Sequence, residues 1–123
     1  MQEITRAQEE ILLALWQIND GAVSDVLNQL PEPKPAYNTV ATVIKVLEKK
    51  GYVSHRVYGK TNVYYPLVSK DEYLKHTVAV GWNTLFNNSL SQMVSFFVQQ
   101  KKVNLRELEA LKKVVESEIK KKK

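Results

Sequence analysis

The sequence has 123 residues, 44% of them hydrophobic and 25% charged, with a formal net charge of +5. That length suits one compact domain, or a small domain with a helical extension, and the apolar share excludes an intrinsically disordered chain. No apolar run approaches the roughly 18 residues that a membrane span needs, and the N-terminal residues lack the basic-then-apolar order of a signal peptide. We therefore expect no membrane insertion and a cytoplasmic location. Cysteine is absent, which excludes disulfides and thiolate metal sites.

The positive charge is concentrated in two stretches of the chain. Residues 34–60 carry six basic side chains and a single acid, Glu48, so this stretch alone has a surplus of five positive charges. The last four residues are all lysines. A basic block is typical of a surface that binds a polyanion, although it can also be only a solvated face. We favour polyanion binding for residues 34–60 and leave the role of the terminal lysines open.

The N-terminal part of the chain predicts two short helices and a rigid connector. The first helix covers ITRAQEEILLALWQI, with Thr5 as its N-cap and Gln8 completing a capping box. The turn residues NDG end it, and VSDVLNQL follows as a second helix that begins at Val23 or Ser24. The next segment, PEPKP, cannot be helical because proline lacks a backbone donor.

A third helix followed by a hairpin is predicted from about Tyr37 onward. The helix runs to Lys50, with Asn38 or Thr39 as its N-cap, and Gly51 suits the left-handed position that ends it. The segments YVSHRVY and NVYYPL alternate apolar and polar residues around a glycine turn, which predicts a two-stranded hairpin. Three helices closed by a basic hairpin form a winged helix-turn-helix, in which the third helix enters the DNA major groove and the hairpin is the wing.

The fold class that we predict is mainly α with a small β-hairpin. Residues 1–68 form the winged helix-turn-helix DNA-binding domain, and residues 69–123 form a helical dimerisation region of three helices. This region has more large apolar side chains than about 50 residues can bury among themselves, and such a surplus indicates a second subunit. The predicted dimer contacts include Trp82, Leu85, Phe86, Met93, Phe97 and Leu108.

The third helix and the wing carry the predicted DNA contacts. The apolar residues Val40, Val43, Ile44 and Leu47 are expected to face inward. The outward positions are then Asn38, Thr39, Ala41, Thr42, Lys45 and Lys49. Asn, Thr and Lys can bond to base edges or phosphates, and Ala and the Thr methyl can meet a thymine methyl. In the wing, we expect the phosphate contacts to come from Arg56 and Lys60, with Tyr58 and Asn62 as further candidates.

Catalytic or metal chemistry has no local support in the sequence. The two histidines, His55 and His76, are far apart and have no partners at metal-ligand spacing. No glycine-rich phosphate loop is present, and no Ser/His/Asp combination is supported by its neighbours. We therefore predict no enzyme, no catalytic residue, no metal and no cofactor.

Three segments carry a resemblance to a known family. They are ITRAQEEILLALW, YNTVATVIKVLEKKGYV and YGKTNVYYPLVSKDEY, and together they resemble the BlaI/MecI penicillinase-repressor family of winged-helix transcriptional repressors. The similarity extends over nearly the whole chain. It implies a homodimer that binds a pseudo-palindromic double-stranded DNA operator and blocks transcription. In the family's best-known branch, a membrane sensor protease for β-lactam antibiotics triggers cleavage of the repressor.

The sequence departs from the family pattern at two places. Family members often have arginine at the position of Val46 and a basic residue at the position of Ala41, so an operator sequence does not carry over. The Asn-Phe bond that is cleaved in antibiotic-responsive members corresponds here to Phe96-Phe97. The sequence thus predicts a sequence-specific repressor; the alternative is a winged protein-interaction adaptor that does not bind DNA.

Overall fold

The computed structural model describes all 123 residues and contains six helices and one antiparallel hairpin. The elements are α1 (Arg6–Ile18), α2 (Val23–Gln29), α3 (Tyr37–Lys49), β1 (Val53–Tyr58), β2 (Thr61–Pro66), α4 (Lys70–Leu85), α5 (Leu90–Gln99) and α6 (Leu105–Lys121). This order confirms the predicted winged helix-turn-helix followed by three helices. The chain forms two compact units, Met1–Thr77 and Val78–Lys123, and the boundary falls within α4. No helix is both long and apolar enough to cross a membrane.

The helix starts in the first unit follow from local capping. The predicted capping box of α1 is confirmed, because the Gln8 N–H donates to Thr5 Oγ1 at 3.2 Å and the Thr5 N–H donates to Gln8 Oε1 at 3.0 Å. The predicted cap of α3 is wrong. Its N-cap is Ala36, which has no capping side chain, and Asn38 lies inside the first turn. The helix begins earlier than the polar residues suggested, so the cap position falls on Ala36, directly after the proline-rich connector.

The core of the winged unit is formed by all three helices and the hairpin. Its buried residues are Ile11, Leu12, Ala14, Leu15, Val23, Val26, Leu30, Val40, Ile44, Leu47, Tyr52, Val53 and Tyr64. Burying a large apolar side chain stabilises the folded state by about 1.5–3 kcal/mol, so this cluster holds the unit together. Val43, which was expected to face inward, is only partly buried and packs against the cluster.

Gly21 joins the helices to the hairpin through a backbone bridge that the sequence did not predict. The Gly21 N–H donates to the Tyr64 carbonyl at 2.9 Å, and the Tyr64 N–H donates back to the Gly21 carbonyl at 2.8 Å. A Cβ at position 21 would lie 2.8 Å from the Ile18 side chain and 2.9 Å from Asp25 Cβ. Glycine is therefore required by space at this position.

The start of α4 belongs to the winged unit. The Trp16 indole N–H donates to the Val68 carbonyl at 2.9 Å, and the Tyr73 hydroxyl donates to Glu9 Oε2 at 2.5 Å. The Tyr73 ring lies 5.6 Å from the Trp16 ring and 6.1 Å from the Tyr52 ring, measured between centroids. These contacts explain why the unit continues to Thr77, beyond the division at residues 68 and 69 that the sequence suggested.

The second unit has helix caps but no buried core of its own. Asn104 caps α6 by accepting from the Glu107 N–H at 2.9 Å, and Ser89 caps α5. Neither α5 nor α6 contains a buried residue. The closest aromatic packing is between Phe86, Phe96 and Phe97, whose neighbouring ring centroids lie 5.9 and 5.5 Å apart.

Candidate nucleic-acid interface

α3 presents one polar, basic face to solvent. Val40, Ile44 and Leu47 on its opposite side are completely buried in the core. Of the predicted outward residues, Ala41 is partly buried, whereas the others are exposed, namely Asn38, Thr39, Thr42, Lys45 and Lys49. α3 therefore carries a continuous outer face of amide, hydroxyl and ammonium groups.

Two details of α3 affect which of its polar groups remain available. The Thr42 hydroxyl donates to the Asn38 carbonyl at 2.9 Å, so its hydrogen is used within the helix while its oxygen and methyl group face outward. Because Ala36 offers no side-chain cap, the first N–H groups of α3 bond to no side chain. These N–H groups lie at the positive end of the helix dipole, which favours an anion.

A cleft of about 390 Å³ separates α3 from the wing. It is lined by Ala22, Val23, Tyr37, Asn38, Ala41, Lys45, Lys60, Thr61, Asn62 and Tyr64. The structure thus brings three predicted α3 residues together with two predicted wing residues, Lys60 and Asn62. Two ammonium groups and two side-chain amides border the same depression.

The two other predicted wing residues on β1, Arg56 and Tyr58, do not line the cleft. In the strand register, Arg56 is opposite Val63 and Tyr58 is opposite Thr61. Tyr64 is opposite His55, so these two side chains point to the other side of the hairpin from that of Arg56. The guanidinium of Arg56 lies 4.4 Å from the centroid of the Tyr65 ring. The Tyr58 hydroxyl, and to a smaller degree that of Tyr65, raises the pKa of Arg56 above its ordinary value. Arg56 is therefore charged at neutral pH.

Two lysines of the basic block serve the fold instead of an outer surface. The Lys34 ammonium donates to the carbonyls of Leu30 at 2.6 Å and Asn28 at 3.0 Å, which satisfies the C-terminal end of α2. The Lys50 ammonium donates to the Glu3 carbonyl and to Gln8 Oε1, both at 2.9 Å. The remaining basic residues, Lys45, Lys49, Arg56 and Lys60, are exposed and form no ion pair with the protein.

The single acid of the block, Glu48, is paired with His55. Glu48 Oε2 lies 2.6 Å from His55 Nδ1, and the imidazole ring lies 5.5 Å from the Tyr64 ring. The carboxylate is therefore held against the wing by a donor on β1. The other histidine, His76, is exposed, and no group of three or more His, Asp or Glu side chains is placed to hold a metal ion.

The sequence missed five residues that line the cleft, namely Ala22, Val23, Tyr37, Thr61 and Tyr64. Ala22 reaches the cleft because the bridge at Gly21 holds the start of α2 against the wing, and this is a long-range contact without a local signal. Asn62, which was predicted in the wing, reaches the cleft because it shares a strand face with the buried Tyr64.

The predicted dimer residues lie in different environments within the second unit. Trp82, Phe86, Met93 and Leu108 are partly buried, whereas Leu85 is 74% exposed and Phe97 is 41% exposed. Their neighbours on α6 include the exposed Val114 and Ile119. These two residues border an apolar cleft with Leu90, Leu111 and Val115.

The chain is similar in sequence to one family of known proteins. The family model described as penicillinase repressor matches residues 4–117. The chain is 24% identical over 115 residues to the penicillinase repressor of Bacillus licheniformis, which covers 93% of this chain and 90% of that one. It is 23% identical over 114 residues to the methicillin resistance regulatory protein MecI of Staphylococcus aureus (strain N315), covering 92% and 93%. A solved CopR repressor structure superposes with a TM-score of 0.46 at 26% identity, covering 55% of this chain and 100% of that one.

The family match extends across the winged unit and most of the three C-terminal helices, so it applies to the whole arrangement and not to one motif. It confirms the resemblance found in the sequence and the prediction that the protein is not an enzyme. The chain belongs to the penicillinase repressor family, whose members are DNA-binding winged-helix repressors of transcription.

Proposed function

We propose that this protein is a homodimer that represses transcription by binding a pseudo-palindromic operator. α3 enters the major groove, and the wing contacts the flanking phosphates. The observation that carries the proposal is the cleft in which Asn38 and Lys45 of α3 meet Lys60 and Asn62 of the wing. A protein surface with these groups can bond to base edges and to phosphates at the same time.

The proposed division of roles follows the chemistry of each side chain. Asn38 and Thr42 lie on the outer face of α3, where an amide and a hydroxyl oxygen can distinguish base pairs, and Ala41 lies beside them. Thr39 and the first N–H groups of α3 suit a phosphate near the helix start. Lys45, Lys49, Arg56 and Lys60 add charge that does not depend on sequence, and Tyr58 adds a hydroxyl donor.

The proposed homodimer is supported by the absence of a core in the second unit. All of the buried residues lie before position 78. Large side chains such as Leu85, Leu105 and Ile119 are more than half exposed. Several such side chains, at about 1.5–3 kcal/mol each when buried, offset an association cost of roughly 4–15 kcal/mol. We assign residues 78–123 to the dimer interface, including the predicted contacts Trp82, Phe86, Met93, Phe97 and Leu108.

The two-fold symmetry of the dimer matches the pseudo-palindromic symmetry of the operator. Two copies of α3 related by a two-fold axis contact half-sites roughly 34–36 Å apart, or a multiple of that distance. A repressor of this kind acts where the DNA is, and we therefore assign it to the cytoplasm. Its proposed partners are operator DNA and a second copy of itself.

A membrane sensor protease is a third proposed partner, by analogy with the antibiotic-responsive members. The corresponding bond, Phe96-Phe97, lies within α5, and both rings are more than two-fifths exposed. Expressing the repressor together with a membrane sensor protease of an antibiotic-responsive member tests this partner. Because Phe96 replaces the asparagine of the cleaved Asn-Phe bond, the site of any cut is located by mass spectrometry. Cleavage within α5 would support the partner, and a repressor that stays uncleaved in induced cells would contradict it.

The DNA-binding proposal is tested by titrating salt against two duplexes. One is a duplex selected by the wild-type protein from a random library, and the other is an unselected duplex of equal length. We expect strong preference for the selected duplex and an affinity that falls with salt at roughly the −0.9 power per neutralised phosphate. Asn38→Ala and Thr42→Ala should change the preferred sequence, whereas Lys49→Ala should weaken binding to both duplexes alike. Weak, salt-insensitive binding to both duplexes would favour the winged adaptor instead.

A further inference from the structure

The pair formed by Glu48 and His55 is the only hydrogen bond between a residue of α3 and a residue of either wing strand. Its donor and acceptor atoms are 2.6 Å apart, and the two side chains are 30% and 35% exposed. The imidazole is also held from its other side by the Tyr64 ring. The bridge to Gly21 and the buried Val53 and Tyr64 hold the wing to the core, and the Glu48–His55 pair adds the one hydrogen bond that fixes the wing strands relative to α3 itself.

The pair lies on the boundary between α3 and the wing, as the cleft does. Glu48 is three residues after Lys45 and seven after Ala41, a spacing that puts all three on one side of α3. His55 is paired with Tyr64 in the strand register, and Tyr64 lines the cleft. Along this boundary, the Glu48–His55 pair lies near the base of the hairpin and Lys60 lies near its tip.

Electrostatic attraction to DNA disfavours a carboxylate at this position, although Glu48 also reduces the repulsion among the neighbouring lysines. Glu48 is the single acid among six basic residues, and a negative charge near a DNA-binding surface repels phosphate. The carboxylate lowers the affinity for every DNA sequence unless its contact with His55 does something that favours binding.

We propose that Glu48 and His55 are positioning residues that clamp the wing to α3 and set the width of the cleft between Lys45 and Lys60. This inference rests on the proposed DNA binding. The clamp holds the groups of α3 and the wing at the separation that a base edge and its neighbouring phosphate require. The charge of Glu48 lowers the general attraction to DNA of any sequence, whereas the clamp raises the preference for the selected duplex.

Charge and position predict opposite results for Glu48→Ala. If only charge matters, removing the carboxylate tightens binding to the selected and the unselected duplex alike. If the clamp matters, Glu48→Ala weakens binding to the selected duplex by about tenfold, a typical coupling for contacting residues, while binding to the unselected duplex stays equal or becomes tighter. His55→Phe, which keeps a ring against Tyr64, should give the same loss for the selected duplex.

A double variant and a matched control complete the experiment. Glu48→Ala with His55→Phe should bind the selected duplex no more weakly than the weaker single variant, because either change breaks the same bond. The control is Glu10→Ala, which removes an equal charge from α1, where Glu10 pairs with Arg6 at 3.6 Å. It should not reduce the preference for the selected duplex.

Amide hydrogen exchange provides a readout that is independent of DNA. Both clamp variants should exchange the amides of residues 54–58 faster than the wild type, and Glu10→Ala should not. Tighter binding of Glu48→Ala to both duplexes, additive losses in the double variant, or unchanged exchange would each overturn the clamp. A wild-type protein that prefers no duplex would instead overturn the proposed function, so the two failures are distinguishable.

Discussion

The indole N–H of Trp16 donates a 2.9 Å hydrogen bond to the carbonyl of Val68, a residue 52 positions further along the chain. This bond closes the winged unit, because it connects α1 to the segment that leaves the wing and leads into α4. Tyr73 packs on the same indole and bonds to Glu9 of α1. The first turns of α4 are therefore part of the DNA-binding unit.

Trp16→Phe should destabilise the protein by about 1–3 kcal/mol, because the partly buried Val68 carbonyl loses its donor. Urea unfolding followed by circular dichroism measures this change in the free energy of unfolding. Tyr37→Phe is the matched control, since Tyr37 is exposed and its hydroxyl forms no hydrogen bond within the protein. Its effect should stay within about 0.5 kcal/mol. Equal effects of the two substitutions would contradict the role of the bond.

Tyr73 makes stability depend on alkaline pH. Burial, supported by the hydrogen bond to Glu9, raises the pKa of its hydroxyl above the ordinary value. The folded state therefore holds this proton more tightly than the unfolded state, whose tyrosine pKa is about 10. The resulting stabilisation is complete below pH 10 or so and is lost as the pH rises through the folded-state pKa.

Tyr73→Phe removes the hydrogen bond to Glu9. It should therefore lower the free energy of unfolding by about 0.5–1.5 kcal/mol at pH 8. Between pH 9 and 11, approximately, its stability should then fall less steeply than that of the wild type. Burial also raises the pKa of Tyr52, so some pH dependence remains in the variant. Identical slopes for wild type and variant would show that Tyr73 is not the titrating group.

Lys60 lies in the turn of the wing and lines the cleft, whereas Arg56 lies on β1 outside the cleft, and both are expected to neutralise phosphates. Lys60→Ala and Arg56→Ala should each weaken binding to selected and unselected duplexes alike and lower the salt slope by about one. Salt titration by fluorescence anisotropy measures the slope. Lys34→Gln is the matched control, because Lys34 bonds to the end of α2 and should leave the slope unchanged. An unchanged slope for Lys60→Ala would remove the wing tip from the interface.

A chain that ends after Thr77 should fold as a winged domain and remain a monomer, because it keeps Val68 and Tyr73 and lacks the proposed dimer helices. A chain that ends after Leu67 should be less stable by at least about 2 kcal/mol, since it loses both contacts. Sedimentation equilibrium and urea unfolding measure the two properties. A dimer formed by the chain ending at Thr77 would put the interface in the winged unit instead.

Periodicity was sufficient to predict the helices, because the sides of α1 and α3 that carry Leu12, Leu15, Val40 and Ile44 are also the sides buried in the core. The hairpin was predictable from alternation around Gly59, whose φ of +62° suits a glycine turn. Features that depend on contacts distant in sequence were not predictable, such as the bridge of Gly21 to Tyr64. The same reason explains why the sequence could not separate Lys34, which caps α2, from the exposed lysines of the same basic block.

The central claim is that two copies of α3 bind two half-sites of one operator, and a half-site experiment tests it most directly. The affinity of the full-length protein is measured for the selected duplex and for the same duplex with one half-site scrambled. Because the second half-site is bound intramolecularly, we expect a loss of roughly 100-fold or more on scrambling, with two chains bound per intact duplex. Equal affinities for the two duplexes, or one chain per intact duplex, would contradict the claim.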